Sequence, residues 1–198
     1  MIRYLICTGL CAVVWIVNIK KIIHAVKKRM PSEYYIHAGL GLFFSIMIIE
    51  WTLGAFGYWE RLNIFSLKII GFIVFIPSAY LEWTSHEMLK HKANPEGGKL
   101  YATTVFVDSG IYSTVRQPMT LGMAVWSIAL ILVFQSLLSL TLGLACVLSF
   151  WLSATKEGEH NISKFGEAYK EYMQKVPMWD VLNGLLGKKG VKKTKDGC

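Results

Sequence analysis

The sequence has little from which to build a disulfide framework. It holds four cysteines in 198 residues; Cys7, Cys11 and Cys146 lie inside apolar blocks and Cys198 stands last. All four read as reduced thiols acting as small hydrophobes. Cys198 lacks the three residues that follow a prenylated cysteine. No small-residue cleavage site precedes the basic run Lys20 to Arg29, so the first apolar stretch reads as an uncleaved anchor rather than a signal peptide. Charge is scarce, at 17% of residues, and unbalanced, with 21 Lys and Arg against 13 Asp and Glu. The cations sit in the gaps between apolar blocks and in the tail, which fits attraction to anionic membrane lipids and no nucleic acid partner. No metal is expected either. His86-Glu87-x-x-x-His91 sets its histidines five apart, about 140° around a helix, where zinc ligation needs them four apart on one face.

What the chain does have is apolar sequence in long blocks, 54% of all residues, a pattern that suits lipid better than a water-soluble core. A crossing needs about 20 largely apolar residues. Three stretches qualify singly: Tyr4 to Ile19, Tyr35 to Trp59 and Leu62 to Trp83. The stretch Leu121 to Ala154 is about double, with a polar step at Gln135 and Ser136, and reads as two shorter helices in a tight hairpin. The expected fold is therefore all-α and integral to the membrane, with five transmembrane helices and a cytoplasmic C-terminal helix that continues the fifth through Tyr172 and stops near Pro177. Glu50, inside the second stretch, is expected at the interface, and Lys68 snorkels from the third.

Lys and Arg resist translocation, and they follow the first, third and fifth stretches. This alternation predicts a multi-pass protein with its N-terminus outside and its C-terminus in the cytoplasm. One domain is expected over residues 1–180, followed by a basic, disordered tail over 181–198. The sequon Asn161-Ile162-Ser163 falls on the cytosolic side of this topology and is discounted. Asn94-Pro95-Glu96-Gly97-Gly98 is a turn signal.

The two polar regions, Ser85 to Met119 and Thr155 to Cys198, fall on one side of the membrane, so a soluble site has to be built from them. The first contains Gly110-Ile111-Tyr112-Ser113-Thr114-Val115-Arg116-Gln117-Pro118-Met119-Thr120-Leu121-Gly122. This run resembles the signature Gly-x-Tyr-x-x-x-Arg-His-Pro-x-Tyr-x-Gly of the isoprenylcysteine carboxyl methyltransferase family, membrane enzymes related to the phospholipid methyltransferases. The second contains Glu157, then Phe165-Gly166-Glu167-Ala168-Tyr169-x-x-Tyr172 and Val176-Pro177, similar to that family's Glu-Glu pair, Phe-Gly-x-x-Tyr-x-x-Tyr and Val-Pro. The resemblance covers roughly residues 62 to 180.

The resemblance implies transfer of a methyl group from S-adenosylmethionine to a lipid or lipidated acceptor, an isoprenylcysteine-type carboxylate first among them. It implies that Thr104, Val105, Phe106 and Val107 border the cofactor, with Tyr112, Gln117, Pro118, Met119, Thr120 and Glu157 as further cofactor residues. Arg116 is the catalytic candidate, since a guanidinium can hold an acceptor carboxylate as a fork. Four positions depart from the family pattern: Gln117 replaces the histidine, Thr120 the second tyrosine, Gly158 the second glutamate and Ser153 an arginine. They leave two alternatives open, a non-catalytic membrane protein with a degenerate site and a membrane reductase of the sterol reductase type.

Overall fold

The computed structural model describes residues 1–93 and 104–186, and among these there is no strand. In chain order the helices are α1 (Ile2–Lys27), α2 (Pro31–Thr52), α3 (Phe65–Lys92), α4 (Pro118–Phe134), α5 (Leu137–Phe165) and α6 (Glu167–Lys175). Short 3-10 turns occupy Gly54–Phe56 and Gly110–Ser113. Four helices are long and apolar enough to cross a membrane: α1, α2 with the turn after it, α3 and α5. The fourth in chain order, α4, is apolar but has 17 residues, about 25 Å against a hydrocarbon core of about 30 Å. The helices overrun the apolar blocks. α1 carries on through Lys20 to Lys27 because lysine is a good helix former and its head can reach water beyond the lipid.

The chain divides into two compact units, Met1–Ser78 with Met123–Glu157 and Ala79–Gly122 with Gly158–Cys198. In the first, α1 reverses into α2 over three residues, with Arg29 at φ 54 and Met30 N–H donating to Ala25 O at 3.0 Å. Pro31 opens α2, where its missing N–H costs nothing. Trp15 then lies on Gly41, and its indole N–H donates to Ser45 Oγ at 3.0 Å. Gly39 faces Phe150 so closely that a Cβ would come within 2.6 Å of the ring, the small-residue contact that lets membrane helices approach.

The opposite end of this unit is polar and tied together. Gln135, at φ 54, bridges Ile64 with its amide, donating to Ile64 O at 2.9 Å and accepting from Ile64 N–H at 2.7 Å. Glu50 is fully buried: Oε2 pairs with Arg61 and Oε1 accepts from the Ser136 hydroxyl. The sequence suggested an interfacial carboxylate; the protein itself closes over Glu50 and supplies its counter-ion, which is how a charge removed from water is sustained. Tyr4 meets Tyr58 edge-on at 5.0 Å, so the start of α1 shares this end.

In the second unit the expected single helix through Tyr172 is broken. α5 stops at Phe165, and Gly166 turns the chain at φ 64 before α6, a backbone region that glycine enters without Cβ strain. Residues 181–186 are helical, capped by Asp180, whose Oδ1 accepts from Asn183 N–H at 2.9 Å. Residues 187–198 and the turn signal at 94–98 lie outside the described residues.

Candidate active site

The segment from Thr104 to Thr120 is pinned at both ends within the second unit. At its start, Thr104 and Val105 both donate their N–H groups to Ala93 O, at 3.1 and 3.4 Å. Phe106 follows with its ring against Phe165, Tyr169 and Tyr172, centroids 5.4, 5.7 and 5.7 Å away. Val107 turns the other way, into a buried cluster with Ala93 and Tyr112. Thus, of the four residues expected to border a cofactor, Thr104 and Val105 are exposed while Phe106 and Val107 are packed, and two of their N–H groups are already engaged.

Gly110, at φ 60 and directly beneath Met88, starts the turn that presents Tyr112. Tyr112 is buried, and its carbonyl accepts from the Tyr172 hydroxyl at 2.5 Å. This bond fastens α6 to the signature segment. The chain after α6 fastens it again, with Arg116 N–H donating to Pro177 O at 2.9 Å and Gln117 N–H to Met178 O at 3.3 Å. Pro118 then opens α4. Gln117, Pro118 and Thr120 are buried, while Met119 is half-buried. The Thr120 hydroxyl donates to Gln117 O at 3.2 Å and accepts from the Trp179 indole at 3.3 Å.

Arg116 is the chemically open residue of this unit. It makes no ion pair with any described residue, and its Nε is buried without an acceptor among them. Its charge is felt by Tyr172, whose hydroxyl is nevertheless pushed well above the ordinary value. Burial raises it most and Tyr169 next, while Arg116 pulls back and Asp108 adds to the rise. A half-buried guanidinium without an ion pair among the described residues suits an anionic ligand.

Six of the expected site residues, Tyr112, Arg116, Gln117, Pro118, Met119 and Thr120, therefore lie on one doubly fastened segment, with Thr104 to Val107 at its start. Glu157 is half-buried in the part of α5 that belongs to the first unit. Of the family departures, Ser153 has a local explanation and Gly158 has none. Ser153, where the family has arginine, is buried and donates to Ser32 O at 2.8 Å. Gly158 is buried, yet a Cβ there would meet nothing within 4 Å. Trp179 and Asp108 were not among the expected residues; a tryptophan two residues after Val176-Pro177 was the available signal.

A family model described as phospholipid methyltransferase matches residues 67–168. No curated protein and no solved structure matches the chain.

Proposed function

Because the chain belongs to the phospholipid methyltransferase family, and is on that ground a membrane methyltransferase with a lipid-type substrate, we propose that it methylates the carboxylate of an isoprenylcysteine-type acceptor at the cytoplasmic face, with S-adenosylmethionine as donor. The observation that carries the acceptor class is Arg116, a cation without an ion pair among the described residues and with a buried, unfilled Nε donor. A carboxylate can meet the accessible part of that half-buried guanidinium in a charge-assisted bond, whereas a protonated amine headgroup would be repelled.

The side chains present fit the cofactor's chemistry. Glu157, in the first unit, is a half-buried carboxylate of the kind that suits the cofactor's positive charge; in the second unit, Thr104 and Val105 are exposed and Phe106 adds an aromatic ring. Bound S-adenosylmethionine would supply an electrophilic methyl group on a sulfonium. The chain's own task is then positioning and partial desolvation, because displacement by a carboxylate moves no proton. Arg116 holds the acceptor, and the Phe106, Tyr169 and Tyr172 rings keep water from it. This reading takes α4 as a short fifth crossing paired with α5 and sets the C-terminus in the cytosol.

A second reading, a fold retained without the chemistry, is favoured by Thr120, whose hydroxyl is engaged on both its donor and acceptor sides within the protein. Calorimetry of the purified protein in nanodiscs with S-adenosylhomocysteine separates the two. The methyltransferase reading expects saturable binding that Glu157→Ala removes and Lys28→Ala leaves intact. No binding by the wild type refutes it.

A further inference from the structure

We propose that the first unit carries a second lipid site, separate from the residues assigned to methyl transfer, which holds a phospholipid with a quaternary ammonium headgroup as a resident. Two apolar grooves of about 710 and 350 Å³ flank the start of α5 and share Leu137 as a common wall. Leu137 is 75% exposed, a ridge between two channels, and two channels side by side suit the two acyl chains of one lipid. The larger groove is lined by Trp59, Glu60, Leu137, Leu138, Thr141 and Leu142. It is therefore leucine-rich below and carries one carboxylate and one indole at its rim.

That rim selects the headgroup. Arg61 is committed to Glu50, so Glu60 has no cation among the described residues and gives the groove a negative rim. Trp59 stands beside it, and tryptophan with a carboxylate is the pairing that binds quaternary ammonium groups, through the ring's negative face and the opposite charge. A bare anionic headgroup would face Glu60 with like charge.

The grooves are preformed. The smaller one is lined by the turn at Gln135, held at φ 54 by the two-point bond to Ile64 and by Leu62 N–H donating to Gln135 O at 3.1 Å, and the larger one begins two residues on, at Leu137. A headgroup nitrogen that already bears four carbons cannot accept a methyl group, so such a lipid is a resident and not a substrate. None of Thr104 to Thr120, nor Glu157, lines either groove.

The test is native mass spectrometry of the full chain in detergent after equilibration with equal amounts of dioleoylphosphatidylcholine and dioleoylphosphatidylglycerol. The expected result is one retained phosphatidylcholine, favoured over phosphatidylglycerol by roughly tenfold. Glu60→Gln should reduce that preference and Glu60→Lys reverse it, while Leu142→Trp, which fills the larger groove, should lower retention of both lipids. Equal retention of the two lipids by the wild type, or a preference that neither Glu60 variant alters, overturns the proposal. Binding of S-adenosylhomocysteine is measured on the same samples. Loss of that binding with lipid selectivity intact counts against the methyltransferase reading alone.

Discussion

Arg61 in the first unit and Arg116 in the second both carry a buried Nε without an acceptor, yet their remaining surroundings differ. Arg61 reaches a carboxylate that the fold supplies: it pairs with Glu50, donates to the Glu50 carbonyl at 2.8 Å and lies over the Phe134 ring. Arg116 has its backbone fastened to Pro177 and its side chain beside Tyr172, and no described carboxylate pairs with it. A buried cation whose counter-ion comes from the protein is part of the architecture. One that is held firmly and left without a counter-ion can take an anion from outside. On the proposed function, the difference separates a structural polar cluster from the acceptor-binding one, within a chain in which both look, by composition, like stray arginines beside apolar helices.

The comparison can be broken most forcefully through stability. Arg61→Ala leaves Glu50 buried without its cation, and thermal unfolding in detergent should show a loss of about 3–5 kcal/mol. Arg116→Ala removes no ion pair and should leave the unfolding temperature near that of the wild type; similar losses from both would erase the distinction. Next in size, Arg116→Ala should lower methyl transfer to a carboxylate acceptor by roughly 100-fold, about 2.7 kcal/mol, chiefly through KM. Arg116→Lys should recover only part of it, because an ammonium lacks the planar fork.

A smaller effect is expected at the α6 fastening. Tyr172→Phe removes the bond to Tyr112 O and should cost about 1 kcal/mol. Its pH dependence has a definite sign. The hydroxyl is raised above its ordinary value of 10.0, so its contribution is whole below about pH 10 and fades as the pH rises beyond it. Alkaline unfolding should accordingly be blunted in Tyr172→Phe; an unchanged alkaline profile would contradict the burial argument. Smallest of all is Gly158→Glu. The Cβ position is open, so this return to the family pattern should alter stability by no more than roughly 0.5 kcal/mol, and a large loss of folded protein would show that the space is not there.

Hydropathy alone located the long helices and the break at Gln135-Ser136, because lipid demands contiguous apolar residues and a turn demands polar ones. The ends of the helices were harder to read. Lys20 to Lys27 is helical by propensity although it is not apolar, and Gly166 interrupts a helix by adopting a φ that no hydropathy profile records. The signature residues Tyr112, Arg116 and Pro118 were legible from spacing, since one short segment carries them. Their supports were not. Tyr172 reaches Tyr112 across 60 residues, Trp179 reaches Thr120 across 59, and Ser136 reaches Glu50 across 86. Each of these pairings is set by packing, which a single sequence does not display.

The account's central claim is methyl transfer to a carboxylate held by Arg116. Purified protein in nanodiscs containing phosphatidylethanolamine, given methyl-labelled S-adenosylmethionine and a farnesylated cysteine derivative, tests it most directly. The prediction is label in a base-labile methyl ester of the cysteine derivative, formed by the wild type and nearly absent with Arg116→Ala. Label in a base-stable N-methyl group of phosphatidylethanolamine, or ester formation undiminished in Arg116→Ala, would contradict it.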